Sequence, residues 1–590
     1  MPLIRIPNAG SVGVNKDLSQ HELPINAWTD CENIRFLDGY AYQFYGHGEV
    51  YNSPSFAPQH VLPCNVGGNR YWIYTTAAKT YCVTITGGSA VHTDITHATP
   101  RTGVSNQWTS TLLSGIPILN VGDTSKIPMS WDLNTANDFV DLANWPANTY
   151  CKSLRAFNKY LVALNVTKTT TNYPYMVKWS HPADPGAVPA SWDHTDTTKD
   201  AGEADLAEGY DHIIDGLQLG STFMIYKENS CWRMDFTGGP YVFRFAKVLG
   251  TSGAMNRNCV VEADGFHVVL TGSDIIVHDG TTARSVLDKM TRRWLFQNMD
   301  VDYASKAFVF KNPFFNEIFI AFAQIGSSVP DMAIVWNYKD HTISIRELPN
   351  INHAAYGPIE NGLTGNWSQD SAPWLSDLTM WNGPDFVPST ARVLMAGNGT
   401  KLYMMDASSS FDGVLPAAYL ERRGLSLGKP ESIKLVKGVR PRITGNTGET
   451  VIIKIGSQSD PWETPTYTTM THTIGSTVAN NCLVAGRYIS VRFETGTAYQ
   501  WRLDSYDLDI EEVGAWLERL ITAAFFMRRG RYRPTRRNCR TTCRMNSSRF
   551  RQLSNAWRPD TWTRCMQHQQ SRVMVISGMQ TAQPGTQAAG

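Results

Sequence analysis

The chain has 590 residues, and at about 150 residues per domain it is long enough for three or four units or for one large β architecture. Apolar residues make up 42% and charged residues 18%, with 18 Trp, 24 Tyr and 23 Phe, so the chain can bury a large core, while no run approaches the roughly 18 consecutive apolar residues of a membrane-crossing helix. The net charge of +1 conceals an asymmetry: from Trp516 onward 14 Arg face only Glu518 and Asp560, which gives +12 and leaves −11 for residues 1–515.

In chain order, the start "MPLIRIPNAGSVGV" has one arginine and lacks the apolar core of a secretory signal, so assembly in a cytoplasm is expected. The ten cysteines are widely scattered, at 31, 64, 82, 151, 231, 259, 482, 539, 543 and 565, and read as reduced, mostly buried thiols rather than a disulfide framework. Residues 1–50 form an N-terminal segment expected to pair with the body that follows.

Across residues 51–430, extended apolar segments meet Gly- or Asn-containing turns and continue as second extended segments. The clearest are "RYWIYTTAAKTYCVTITGG" from Arg70, "STFMIYKENSCWRMDFTGG" from Ser221, "GFHVVLTGSDIIVHDG" from Gly265, "NEIFIAFAQIGSSVPDMAIVWNYKDHTISIREL" from Asn316 and "GTKLYMMD" from Gly399. Branched and aromatic side chains favour a pleated surface, and the turn residues favour hairpins. Hairpins recurring at this spacing predict the blades of a β-propeller; stacked β-sandwiches are the other architecture such hairpins can build. Two stretches rich in Pro, Gly, Asp and Ser, at 167–211 and 350–388, predict loop insertions.

From 431 to 515 the alternations Val451-Ile453-Ile455 and Tyr488-Ser490-Arg492 predict a C-terminal antiparallel β domain. Residues 516–590 are an Arg-rich tail in which "AWLERLITAAFFMRRG" could form one helix, and the remainder lacks periodicity. The predicted fold class is therefore all-β: a β-propeller base, an additional antiparallel β domain and a basic, poorly structured or partly helical tail.

Candidate chemistry is sparse. No phosphate loop, zinc-protease helix or Gly-x-Ser-x-Gly elbow occurs. The acidic stretch Asp200, Glu203, Asp205, Glu208 and Asp211 reads as a solvated surface rather than a glycosidase pair. Cys539, Cys543, Cys565 and His568 lack the tight Cys-x2-Cys knuckle of most structural zinc sites, and no catalytic, cofactor or metal site is expected. Glycosylation acceptor patterns at Asn165, Asn366 and Asn398 are read as chance. The arginines Arg528, Arg529, Arg531, Arg533, Arg536, Arg537, Arg540 and Arg544, interleaved with Tyr532 and followed by Trp557, could contact nucleic acid or an acidic neighbouring subunit; a frame change near the end of the coding sequence would give the same text.

Several blocks resemble the tail nozzle proteins of short-tailed bacteriophages, a class also known as packaged-DNA stabilisation or tail tubular protein B. They are "LPINAWTDCENIRFLDGYAYQFYG" from Leu23, with Trp28, Asn33, Arg35, Phe36, Asp38 and Gly39; "GTSGAMNRNCVVEADGFHVVLTGSDIIVHDG" from Gly250; "NPFFNEIFIAF" with "DMAIVWNYKDHTISIREL", where Ile343 stands in place of a more usual Trp; and "VRPRITG", "GRYISVRF" and "WRLDSYDLDIEEVG". The resemblance implies a non-enzymatic virion protein, assembled in the host cytoplasm, that forms a homohexameric ring. Such a ring lies below a portal-adaptor protein and beside or above needle, tailspike or tail fibre proteins, and it holds and then conducts viral DNA without sequence-specific binding. A carbohydrate-binding or receptor-recognition propeller of a phage tail is the competing expectation.

Overall fold

The computed structural model describes residues 3–515, apart from 67–68, 87–88, 240, 360–390, 477 and 479. Among the described residues the regular structure is almost entirely antiparallel β, with one α-helix, Lys289–Asn298. Among the described residues, seven four-stranded sheets follow one another, opening with the strands His60–Val66, Thr109–Leu113, Thr149–Phe157, Ile213–Leu219, Val260–Ala263, Phe308–Asn312 and Ile351–Pro358. Each of these opening strands touches the next, and the seventh touches the first.

The reason lies in the two-residue period of a strand, which sends alternate side chains to opposite faces. In the fourth sheet, Phe223 and Ile225 pack toward the third sheet, with Phe157, Val162 and Val177. Met224 and Tyr226 pack toward the fifth, with Val269 and Ile276. The sixth sheet divides likewise: Ile318, Ile320 and Phe322 meet the fifth, while Phe319 and Ala321 meet the seventh. Both faces are buried, so such strands read as unbroken apolar runs, and each fully buried large side chain contributes about 1.5–3 kcal/mol. An apolar cluster fills every junction, including the one between the seventh sheet and the first, where Leu394 and Leu402 meet Val61, Trp72 and Tyr74. There the Trp72 indole N–H donates to Pro358 O at 2.8 Å and the Asn352 amide to Pro58 O at 2.9 Å.

Tight hairpins set the register. Asp264 and Gly265 have φ of 47° and 84° between the paired Ala263 and Phe266, and Asp38 and Gly39 have 53° and 82° between Leu37 and Tyr40. Two consecutive positive φ values match the right-handed twist of the flanking strands, hence Asp-Gly at both.

The remaining strands form two facing sheets. One orders Asp30–Glu32, Tyr419–Leu425, Tyr488–Thr495, Thr450–Gln458 and Thr466–Thr473. The other orders Ile34–Leu37, Tyr40–Gln43, Trp501–Ala515, Ser432–Gly445 and Asn480–Gly486, with Leu3–Ile6 also paired to Trp501–Ala515. Between them lies one apolar core built from Val451, Ile453, Ile455 and Phe493 on one side and Val436, Leu503, Leu508 and Ile510 on the other.

Several details differ from the sequence expectation. The N-terminal segment joins both parts: Leu3–Ile6, Asp30–Glu32, Ile34–Leu37 and Tyr40–Gln43 are strands of this C-terminal pair of sheets, while His47–Glu49 is the outermost strand of the seventh sheet and the Val14 and Asn33 N–H groups donate to Ile343 O and Ile345 O of the sixth. The stretch expected as a loop at 167–211 contains two strands of the third sheet, Thr171–Trp179 and Gly202–Asp205, because branched and aromatic residues between its turns pair with Tyr160–Lys168. Ile351–Pro358 is likewise a strand, and the rest of the expected 350–388 insertion falls mostly on residues outside those described. The tail 516–590 also lies outside the described residues.

A buried ionic cluster ties the N-terminal segment to the body. The Arg35 guanidinium donates to Glu317 through two nitrogens at 2.6 and 2.9 Å and to Asp406 at 2.9 Å. Arg346 and the Asn312 amide donate to the same Asp406 at 3.2 and 2.9 Å. Burial opposes the charge on Arg35, but Asp406 and Glu317 outweigh it and hold the guanidinium above its ordinary range.

A candidate axial site

The opening strands of the seven sheets are mostly apolar, yet each region where two of them meet carries a polar or aromatic group that reaches its neighbour. His60, on the first sheet, lies 2.8 Å through Nε2 from Ser110 Oγ on the second. From the third sheet, Arg155 donates to Ser110 O at 3.0 Å and grips Asp215, on the fourth, through Nε at 2.9 Å and Nη2 at 2.6 Å. Asp215 also accepts from Ser153 Oγ at 2.6 Å and from the backbone N–H of Asn258, just before the fifth sheet, at 3.0 Å. Asn258 O accepts from Val309 N on the sixth sheet at 2.9 Å. Phe308 there stacks on His353 of the seventh with ring centroids 5.5 Å apart, and His353 lies over His60 at 3.9 Å. The circuit closes where it began.

The electrostatics match a tie rather than a reactive centre. Burial disfavours ionised Asp215, but Arg155 outweighs it and the carboxyl is held below its ordinary range. Burial lowers His353 to about 3 and, with His353 adding to it, takes His60 well below the usual imidazole value. Asp215 is thus a carboxylate whose oxygens are already engaged, and both histidines are neutral. Neither a free general base nor an acid poised near neutrality results. A cavity of about 230 Å³ lies beside the circuit, lined by Arg155, Asp215, Asn258, Lys311, His353 and Tyr356 among others. It is smaller than the pockets of about 300–1,000 Å³ that enclose most small-molecule ligands.

A second polar chain joins the fourth and fifth sheets. His267 Nε2 lies 3.0 Å from Gln218 O, so it is the protonated nitrogen, and Nδ1 accepts from the Tyr226 hydroxyl at 2.6 Å. Since Gly280 N–H donates to His278 Nδ1 at 3.1 Å, the His278 proton sits on Nε2 and is donated to the Tyr226 oxygen at 2.7 Å. Every donor and acceptor in this chain has one partner and one direction. Burial lowers both histidines to about 4.

The acidic stretch is more engaged than its composition suggested. Glu203 pairs with Lys168 at 2.8 Å and Lys178 at 3.2 Å, Asp211 with the buried Lys227 at 2.9 Å, and Glu208 with Lys247 at 3.2 Å. Asp200 accepts from the Tyr160 hydroxyl at 3.2 Å. Four of the five carboxylates are thus engaged in separate pairs, and Asp205 is exposed. Asn165 is buried and its amide donates to Ile213 O at 3.0 Å, which bars a glycan there. The arginines Arg528 to Arg544, Cys539, Cys543, Cys565, His568 and Asn366 lie outside the described residues, as do Tyr532 and Trp557. The seven described cysteines, from Cys31 to Cys482, are buried free thiols, and burial raises Cys64 to about 11 and Cys31 to about 12.

Sequence reading did not find the axial residues. Their only signal was a polar residue among apolar ones within a strand, as in "SLRAF" and "IIDGLQL", and which neighbour each one meets is fixed by the packing of the sheets.

No protein-family model matches the chain, and no curated protein matches it in sequence. Among solved structures it is similar to the extracellular domain of a protein from B. thetaiotaomicron described as a one component system. The match has a TM-score of 0.34 and 9% identity, and covers 76% of this chain and 58% of that one. This chain therefore spans less than two thirds of its structural neighbour. Among the described residues, no helix is long and apolar enough to cross a membrane.

Proposed function

We propose that the seven sheets are the blades of a β-propeller and that the chain is a non-enzymatic structural subunit of a short-tailed bacteriophage tail, of the nozzle type. Copies of it, six by the family resemblance, close into a ring beneath a portal-adaptor protein, with needle, tailspike or tail fibre proteins around or below. The observation that carries the structural rather than catalytic reading is the axial circuit, in which Arg155 with Asp215, His60 with Ser110 and His353 with His60 join one sheet to the next. A passage for DNA then lies between copies.

The charge balance supports the same reading. Residues 1–515 carry −11, and an acidic wall repels phosphates instead of making the Lys and Arg contacts that give strong, salt-dependent DNA binding. The Arg-rich tail from Trp516 then serves as a contact to a neighbouring subunit or to the nucleic acid itself.

Electron microscopy of the purified chain tests the proposal. Six-fold rings with an open axis are expected. Particles without an axial opening, or saturable binding of glycans by chains that never form rings, would overturn it, the latter in favour of receptor recognition.

A further inference from the structure

Sheet edges expose unpaired backbone groups, and proteins blunt them by shortening, charging or covering the edge strand. Among the described residues this chain does so almost everywhere. The outer strands Val140–Asp141, Ala283–Ser285, His47–Glu49 and Asp30–Glu32 are two or three residues long. Ser89–Asp94, Gly202–Asp205 and Phe243–Leu249 carry charged side chains. Thr342–Glu347 is covered by the N-terminal segment, whose Val14 and Asn33 N–H groups donate to Ile343 O and Ile345 O.

One end of the C-terminal pair of sheets breaks this pattern. Thr466–Thr473, "TYTTMTHT", and the following strand Asn480–Gly486, "NNCLVAG", are edges of the two facing sheets and contain no Lys, Arg, Asp, Glu or Pro. Thr466–Thr473 pairs along its whole length with Thr450–Gln458; the strand is eight residues long, about 27 Å at roughly 3.4 Å per residue, and the Asn480 amide approaches it at one end, 3.0 Å from His472 Nδ1. Five of its residues are threonine, a side chain at home on a pleated surface. Thr469 and Thr471 are exposed on the outward face, opposite Lys454 and Ile452, while Met470 packs against the core between the sheets.

We propose that this edge pairs antiparallel with the same edge of a second copy of the chain, joining two five-stranded sheets into one. A strand free of charge has no charge pattern to match except its own, and a two-fold axis supplies the antiparallel direction automatically. Like faces stay on one side when the axis is centred on Met470, which sets Thr469 of each copy opposite Thr471 of the other. This pairing does not rest on the ring reading, because either two chains or two rings can join through it.

Sedimentation velocity on the full chain tests the proposal with two double variants at exposed positions. Thr469→Lys with Thr471→Lys sets lysine against lysine and is expected to halve the particle mass relative to the unmodified chain. Thr469→Lys with Thr471→Glu sets lysine against glutamate twice and is expected to retain the unmodified mass. Equal masses for the unmodified chain and the double lysine variant would overturn the proposal, as would a lysine–glutamate variant that behaves like the double lysine one. Because the readout is a twofold mass ratio, it is separate from ring formation. Absence of six-fold particles throughout, with the ratio intact, would sink the nozzle reading alone.

Discussion

The seven-sheet body and the C-terminal pair of sheets bury similar apolar side chains but are joined by different means. In the pair, two sheets meet across one core in which Ile453, Ile455, Val491 and Phe493 face Val436, Leu503 and Leu508. In the body, every sheet must meet two others, and at several junctions a buried polar group adds direction to the apolar contact: Arg155 with Asp215, Tyr226 with His267 and His278, Arg346 with Asp406. Apolar packing is non-directional, whereas a charged, bidentate hydrogen bond accepts one geometry. A fold that must return its last sheet to its first gains from contacts that fix the angle at each junction. A two-layer stack has less need of them.

Asp406 accepts from Arg35, Arg346 and Asn312 with about 1% of its side chain exposed. Replacing it with alanine leaves the buried Arg346 without its carboxylate and Arg35 with Glu317 alone, and loss of one partner of a buried ionic group costs about 3–5 kcal/mol. Asp406→Ala is therefore expected to lower the denaturation midpoint strongly. Hydrogen exchange should rise first in Phe308–Asn312 and Leu402–Met405, while Thr450–Gln458 remains protected; uniform loss of protection would show that the two regions open as one. The matching change in the C-terminal pair is Ile453→Ala. It leaves a cavity in the core and should cost about 2–5 kcal/mol, with the exchange pattern reversed.

How much of this was legible in the sequence differs between the same two regions. The strands and turns of the fourth to sixth sheets were readable because apolar runs such as "FMIY" and "IFIAF" abut turn residues, and Asp264-Gly265 is the pair that a tight hairpin requires. The second sheet was missed. Two of its strands, Met129–Ser130 and Val140–Asp141, have two residues each, too short to show a period, and its core depends on Trp108 and Trp131 packing against the first sheet. The third sheet was partly taken for a loop, since its outer strand Gly202–Asp205 contains glycine and two acids and is held by Lys168 and Lys178 from neighbouring strands. The axial residues were beyond reach for a related reason. That Arg155 meets Asp215 depends on two strands 60 positions apart lying side by side, which local pattern does not encode.

Acid sharpens the contrast with a smaller effect per group. His267 and His278 are held at about 4 in the folded chain, against about 6.5 when unfolded. The unfolded chain therefore takes up protons first, so stability is undiminished above about pH 6.5, falls as pH drops toward 4 and levels off below it. At pH 5 each histidine removes about 2 kcal/mol by this linkage. The local consequence follows from the proton positions. Protonating His267 Nδ1 removes the acceptor of the Tyr226 hydroxyl, and protonating His278 Nδ1 removes the acceptor of the Gly280 N–H. Buried His47 and His353, both lowered to about 3, also belong to the seven-sheet body, and burial lowers His472 of the C-terminal pair as well. Unfolding midpoints measured from pH 7 to pH 4.5 should fall, with exchange at Thr222–Lys227 and Phe266–Leu270 increasing before exchange at Thr450–Gln458. A midpoint independent of pH across that window, or earlier opening of Thr450–Gln458, would show that the junction between the fourth and fifth sheets does not depend on neutral imidazoles.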